Sequence, residues 1–201
     1  MKKILAIFAL ATALLLTGCS QVGSAATVGS AKISQATVQS SIDAILAARE
    51  GVDTTQMQIE TGEALNRGQL RFHLLTALLR EVAKELKLSV SKAEIDTRRQ
   101  SILDQVGGAD KLPAALVGAG IAPQDLDQYI EAVTLSDKIS AAIKAAGVAD
   151  DQIGAEIQKI VVAKAKAIGV TVNPRYGKWD PAAADIVATD SASSAVTPST
   201  K

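Results

Sequence analysis

Apolar positions recur at helical spacing through most of the chain. Residues 35–50 predict an amphipathic helix, because Ser34 can cap its start and Gly51 can end it. Its apolar stripe consists of Val38, Ile42, Ile45 and Leu46. Residues 66–86 predict a longer helix with a wider apolar face, which we expect to be the central core helix. That face is formed by Leu70, Leu74, Leu75, Leu78, Leu79, Val82 and Leu86.

Four further helices follow from start and stop signals. Ser91 and Glu94 form a capping box, in which each side chain can bond the backbone N–H of the other residue. Pro113 fits a short helix because it lies in the first turn, and Asp150 stands at a capping position. The predicted helices cover residues 92–106, 110–117, 123–146 and 150–168. Residues 52–63 are polar and receive no assignment.

The spacing of apolar residues changes to two near both ends of this helical region. Val28 and Ile33 flank a Gly-Ser turn, and Val170 and Val172 alternate after Gly169. Small sheets need a partner edge, so we expect the two regions to meet. The prediction is a mainly α domain of about six helices with a small β element that pairs residues 28–33 with residues 170–187.

The N-terminal sequence is typical of an export signal. Lys2 and Lys3 precede an apolar run over residues 4–16. That run is shorter than the roughly 20 residues of a membrane-spanning helix, so a permanent span is the weaker alternative. Leu16, Thr17, Gly18 and Cys19 resemble the bacterial lipobox. The resemblance implies that Cys19 carries lipid, such as palmitate, after cleavage. The alternative is an ordinary signal peptide with an incidental cysteine.

These features give a predicted domain organisation. Residues 1–18 form the lipoprotein signal peptide, and residues 19–26 form the lipidated cysteine and a short tether. Residues 27–188 form the helical domain, and residues 189–201 form a disordered tail of Ser, Ala, Thr and Pro. We therefore expect a lipid-anchored protein at the outer, extracytoplasmic face of a bacterial cell membrane.

Charge and composition exclude several classes of function. The chain has 21 basic and 21 acidic residues, and loss of Lys2 and Lys3 leaves 19 against 21, so nothing indicates nucleic-acid binding. One cysteine and one histidine leave almost nothing from which to build a disulfide framework, a metal site or a Cys/His catalytic pair. We expect no enzyme activity, no cofactor, no metal and no small-molecule substrate.

Aromatic residues are scarce, at 2% of the chain. Tyr129, Tyr176 and Trp179 are candidate peptide contacts, although packing of a C-terminal strand onto the helices is the favoured explanation of Tyr176 and Trp179. His73 lies beside the leucine stripe and is expected to be a partly exposed structural residue. Arg80, Arg98 and Arg99 are expected on solvated faces.

The order of these motifs resembles a known family. A Val28-to-Ser34 opening before a helix, the Leu86-to-Ile95 segment, Gly107-Gly108 and Gly120-Ile121 occur in the order found in the SurA N-terminal chaperone module. PrsA-type lipoproteins share that module in outline, and the resemblance covers about residues 28–180. It implies a chaperone or holdase that binds unfolded or partly folded secreted polypeptides.

One departure from the family matters for function. Full-length foldases of this type carry a parvulin prolyl-isomerase domain between two helices that are separated here only by residues 147–150. The paired histidines of such domains are absent, so we expect no prolyl isomerase activity. The alternative function is a structural or adaptor lipoprotein that binds one dedicated envelope partner. A broad exposed apolar cradle favours the holdase, and a compact patch with a polar rim favours the adaptor.

Overall fold

A computed structural model describes residues 23–189, which contain six α-helices and five short β-strands. The helices are α1 (Gln35–Glu50), α2 (Gly62–Glu85), α3 (Lys92–Val106), α4 (Leu112–Ala119), α5 (Leu126–Ala145) and α6 (Ile153–Ile168). The strands are β1 (Ser24–Val28), β2 (Ala31–Ser34), β3 (Val170–Val172), β4 (Lys178–Asp180) and β5 (Asp185–Val187). The predicted mainly α fold is confirmed.

An antiparallel sheet joins the two ends of the described chain. β1 lies in the middle, between β2 and β3. Its partners in β3 are Val172 for Ala26, Thr171 for Thr27 and Val170 for Val28. The predicted pairing of the two ends is therefore confirmed for β3. The remaining part of the predicted C-terminal segment behaves differently, because β4 and β5 pair with each other in a separate hairpin.

The folded domain begins earlier than predicted. Ser24, Ala25 and Ala26 were expected in the tether, but they are buried residues of β1. The carbonyl oxygen of Ala25 accepts a 2.8 Å hydrogen bond from the backbone N–H of Asn173. Small side chains resemble a flexible linker in sequence, yet here they let β1 pack closely against α2.

Helix α2 is the centre of the core and contacts α1, α5, α6 and β1. Leu70, Leu74, Leu78 and Val82 are all at most 1% exposed, as the predicted stripe requires. Leu86 is 42% exposed because it follows the last residue of α2 as its C-cap. Leu46 is also exposed, because the inward stripe of α1 repeats at Val38, Ile42 and Ile45 and turns the next position outward.

The capping signals mark several helix ends correctly. Ser34 Oγ accepts from the backbone N–H of Thr37 at 2.9 Å, and both halves of the Ser91–Glu94 capping box are present. The prediction for Asp150 was wrong, because this residue begins a 3-10 turn and its carboxylate pairs with Lys144. The unassigned segment before α2 is irregular until Gly62.

Helices α3, α4 and α5 form a smaller second layer. Leu116, Leu126 and Ile130 form a buried cluster in it, and half-buried apolar side chains from α3 and α4 pack around them. Helix α3 contributes no buried residue of its own. It is therefore the least deeply packed of the long helices.

Candidate functional site: an apolar groove

A cavity of about 410 Å³ opens between the loop that precedes α2, helix α2 and the C-terminal end of α4. This cavity and its lining residues are termed the groove. Its apolar walls are formed by Ile59, Leu65, Phe72, Leu75, Val117, Ile121 and Tyr129. The volume lies in the range of protein sites that bind small molecules or a few side chains.

Glycines open two walls of the groove. Gly118 and Gly120 lie at the end of α4, where Gly120 adopts a φ of 66° and caps the helix. On α2, a Cβ atom added to Gly68 would collide with the Glu60 carboxylate, so the absence of a side chain lets Glu60 lie against the helix. At exposed Gly118 the missing side chain leaves backbone accessible to a bound chain.

A buried amide holds the two helical walls together. Gln69 is 5% exposed, and its Nε2 donates a 2.9 Å hydrogen bond to the carbonyl oxygen of Gly120. That carbonyl follows the last turn of α4, where backbone acceptors lack helical donors. The Gln69 contact therefore sets the spacing between α2 and α4.

The rim of the groove carries charges of both signs. Arg49 Nη2 donates to the carbonyl oxygen of Glu60 at 2.9 Å, which fastens the loop to α1. Arg71 Nε pairs with Asp185 at 2.5 Å, and its Nη2 donates to the carbonyl oxygen of Ile186. The rim is thus polar, and β5 is fixed beside the α2 wall.

A buried polar cluster lies among α1, α2 and the start of α5. Ser41 Oγ donates to Asp125 Oδ2 at 2.5 Å and lies 2.9 Å from His73 Nε2. Gln128 Nε2 lies 3.2 Å from His73 Nδ1. These partners fit a neutral imidazole with its proton on Nε2, donating to Ser41 and accepting from Gln128.

Burial lowers the pKa of His73, which is 5% exposed; the nearby Asp125 carboxylate opposes the shift and Arg80 adds to it. The prediction of a partly exposed histidine was wrong, because this ring finds polar partners inside the fold. The cluster also differs from a catalytic triad, since the carboxylate bonds the serine rather than the histidine and Ser41 is 1% exposed.

The predicted contact residues are separated in the structure. Tyr129 lines the groove. Tyr176 is 7% exposed, and half-buried Trp179 packs against the same main core, so neither belongs to the groove. The lipobox residues Leu16, Thr17, Gly18 and Cys19 lie outside residues 23–189. Lipidation of Cys19 stays a prediction. The 190–201 part of the predicted tail also lies outside.

Sequence reasoning missed most of the groove. Its loop wall, residues 58–60, lies in the segment without apolar periodicity. Gly118 and Gly120 follow the helix predicted over residues 110–117, and that pattern does not indicate a groove wall. The side chains of Arg80, Arg98 and Arg99 are exposed as predicted, and each also forms an ion pair with α5. The available signal for the groove was Gly68, a glycine in a predicted helix shortly after the unassigned polar segment.

A comparison with protein-family models matches residues 1–139 to the SurA-like N-terminal domain. The chain belongs to this family. The matched region contains every residue that lines the groove of this SurA-like domain and most of α5. Family membership indicates a chaperone-related function that is consistent with polypeptide binding. No curated protein and no solved structure matches the chain.

Between residues 23 and 189, no helix combines the length and the apolar character needed to cross a membrane. The same stretch holds no group of three or more His, Cys, Asp or Glu side chains that could bind a metal ion.

Proposed function

We propose that this SurA-like domain is an extracytoplasmic holdase that binds short segments of unfolded or partly folded secreted polypeptides in the groove. The observation that carries the proposal is the groove itself: apolar walls and glycine-exposed backbone, within the region matched to the family. A second part of the proposal is that binding proceeds without prolyl isomerisation or other catalysis.

The groove suits weak and reversible binding. One or two apolar side chains of an extended segment can enter between Phe72 and Ile121, which contributes roughly 25 cal/mol for each Å² of apolar surface removed from water. Backbone groups of the segment can reach the polar rim near Glu60 and Arg71. Binding of this kind keeps apolar segments of a client apart without fixing its sequence.

We also propose that the domain works at a membrane surface. The support is the lipobox-like sequence that ends at Cys19, and residue 24 is already in the folded domain. Such a short connection holds the groove near the bilayer. Labelling cells with an azide-bearing palmitate tests the anchor: the wild-type chain should take up the label and Cys19→Ala should not. Equal labelling of both would contradict lipidation at Cys19.

Light scattering tests the holdase. The chain from residue 20 to residue 201 contains every described residue and is added at increasing ratios to an unfolded secreted protein that aggregates. Suppression at or below equimolar ratio is the expected result. Unchanged scattering across a large excess of the domain would contradict the proposal.

One observation favours a second candidate, an adaptor with a single envelope partner. Among residues 23–189 the large exposed apolar side chains are Leu46, Leu86 and Val187, and none of them lines the groove. The groove is therefore compact and has a polar rim, which suits one partner. A photocrosslinker at Gln58, on the rim, separates the candidates in native membranes: many products support the holdase, and one product supports the adaptor.

A further inference from the structure

Three ion pairs join the exposed face of α3 to α5, beside the apolar contacts of Ile95 and Ile102. Glu94 Oε1 lies 2.6 Å from Lys138 Nζ, and Arg98 Nη1 lies 3.0 Å from Asp137 Oδ2. A third ion pair joins Arg99 to the α5 residue Asp127. Exposed ion pairs of this kind contribute little to stability and are screened by salt.

The interface beneath α3 is incompletely packed. A cavity of about 290 Å³ lies between Ile102 on α3 and the α5 residues Tyr129, Ile130 and Val133. A shallower space of about 420 Å³ lies beside Thr97. Arg99 Nε and Thr134 Oγ1 are buried without a hydrogen-bond partner among the described residues. Voids and unpartnered polar groups both weaken the hold of α5 on α3.

Both ends of α3 adjoin backbone in the left-handed region. Lys87 has a φ of 56°, which is uncommon for a residue with a side chain, and Gly107 and Gly108 have φ values of 87° and 107°. Lys87 and the glycine pair are therefore two points at which the chain can change direction. Dihedral changes at these points would allow α3 to be displaced.

Tyr129 connects this interface with the groove. Its side chain lines both the 410 Å³ groove and the 290 Å³ cavity under α3. Displacing α3 would extend the apolar surface of the groove along α5. It would also leave Asp127 and Asp137 without their arginine partners, whereas Lys138 would keep its bond to the carbonyl oxygen of Ser89.

We propose that α3 is a displaceable flap, and that the surface it covers on α5 binds a polypeptide segment with apolar residues beside adjacent basic residues. This inference rests on the proposed function, because the occupant belongs to the client class of the groove. Charge complementarity selects the occupant. Helix α3 itself places half-buried Ile95 and Ile102 near Arg98 and Arg99, and a client that replaces it can pair with the same two carboxylates.

Hydrogen exchange on the domain without any polypeptide tests the flap. Amides of α3 should exchange faster than those of α5. Exchange of α3 should be faster still when salt rises from about 0.1 M to about 1 M, because the Debye length falls from about 10 Å to about 3 Å and screens the ion pairs. Arg98→Asp should speed exchange of α3 about threefold or more while α6 stays unchanged. Adding Asp137→Arg should restore the pair and slow α3 again. Protection of α3 equal to that of α5 in every variant would overturn the flap.

Peptide binding tests the occupant. The probes are a leucine-rich peptide with an adjacent pair of arginines and a twin with glutamates in their place. We expect Arg98→Asp to bind the arginine peptide about threefold more tightly than the wild type, because the closed flap lowers apparent affinity. The double variant should lose that gain because the Asp137 carboxylate is gone. Equal affinity for the two peptides would overturn the assignment. Hydrogen exchange is measured without polypeptide and reports only on the flap. Failure of the flap and failure of polypeptide binding in the groove are therefore distinguishable.

Discussion

Gln69 on α2 donates a hydrogen bond from its side-chain amide to the backbone carbonyl of Gly120, 2.9 Å away at the end of α4. This part-buried bond joins two walls of the groove. The shape of the groove therefore depends on one polar residue that would otherwise be unfavourable in a leucine-rich core helix. The groove is built as a defined site rather than left as a packing defect.

Replacing that amide should weaken the fold. Gln69→Leu removes the donor of the hydrogen bond to the Gly120 carbonyl, so we expect a loss of about 0.5–1.5 kcal/mol in the free energy of unfolding. Urea denaturation measures it. The matched control is Gln100→Leu on the exposed face of α3, where Nε2 bonds only Asp104 and the change should stay within about 0.5 kcal/mol. Equal effects of the two changes would contradict the role given to Gln69.

The buried histidine should make stability depend on pH. The pKa of His73 is lowered in the folded protein, chiefly by burial, so the unfolded chain binds a proton more readily. Its contribution to stability is complete above the unfolded pKa of about 6.5 and is lost as pH falls below it, by at most about 1.4 kcal/mol per pH unit. The chain contains one histidine.

Urea denaturation between pH 7.5 and 5, a range above most carboxylate titrations, is therefore the relevant measurement. We expect the free energy of unfolding of the wild-type chain to fall across the lower part of this range. His73→Gln should lower stability at pH 7.5 and flatten the dependence on pH. A slope in the variant equal to that of the wild type would show that another group is responsible.

The start of the folded domain can be tested by truncation. A chain that begins at Thr27 lacks the buried Ala25 and Ala26 and the carbonyl bonded by Asn173. We expect it to lose about 2 kcal/mol, a fall of roughly 4–8 °C in Tm, relative to a chain that begins at Gly23. Calorimetry measures the Tm of the two chains. Equal Tm values would show that residues 24–26 do not stabilise the domain, as expected of a tether.

Local patterns predicted the helices well because each signal acts within one element. Helix α1 begins and ends where Ser34 and Gly51 place its boundaries, and the capping box opens α3. These signals depend on backbone groups three or four residues apart. The pairing of β1 with β3 was predictable because two short strand patterns had no other partner.

The groove and the polar cluster were not predictable in the same way. Ser41 forms hydrogen bonds with His73 and Asp125, which are separated from it by 32 and 84 positions in the chain. No periodicity in the sequence indicates such contacts. The loop wall near Ile59 has neither helical nor strand spacing, and its position follows from the contact of Arg49 with the Glu60 carbonyl. Composition alone also could not separate a buried alanine strand at residues 24–26 from a tether.

Binding of a permanently unfolded polypeptide to groove variants tests the central claim most directly. Gly118→Leu adds a side chain at a residue that lines the groove, and its Cβ would meet only Met57 Sδ, at 3.8 Å. Gly154→Leu is the matched control, a helical glycine of α6 with open space around it. We predict that fluorescence anisotropy shows affinity about tenfold lower for Gly118→Leu, a difference of about 1.4 kcal/mol, and unchanged for Gly154→Leu. Equal affinities of both variants and the wild type would contradict polypeptide binding in the groove.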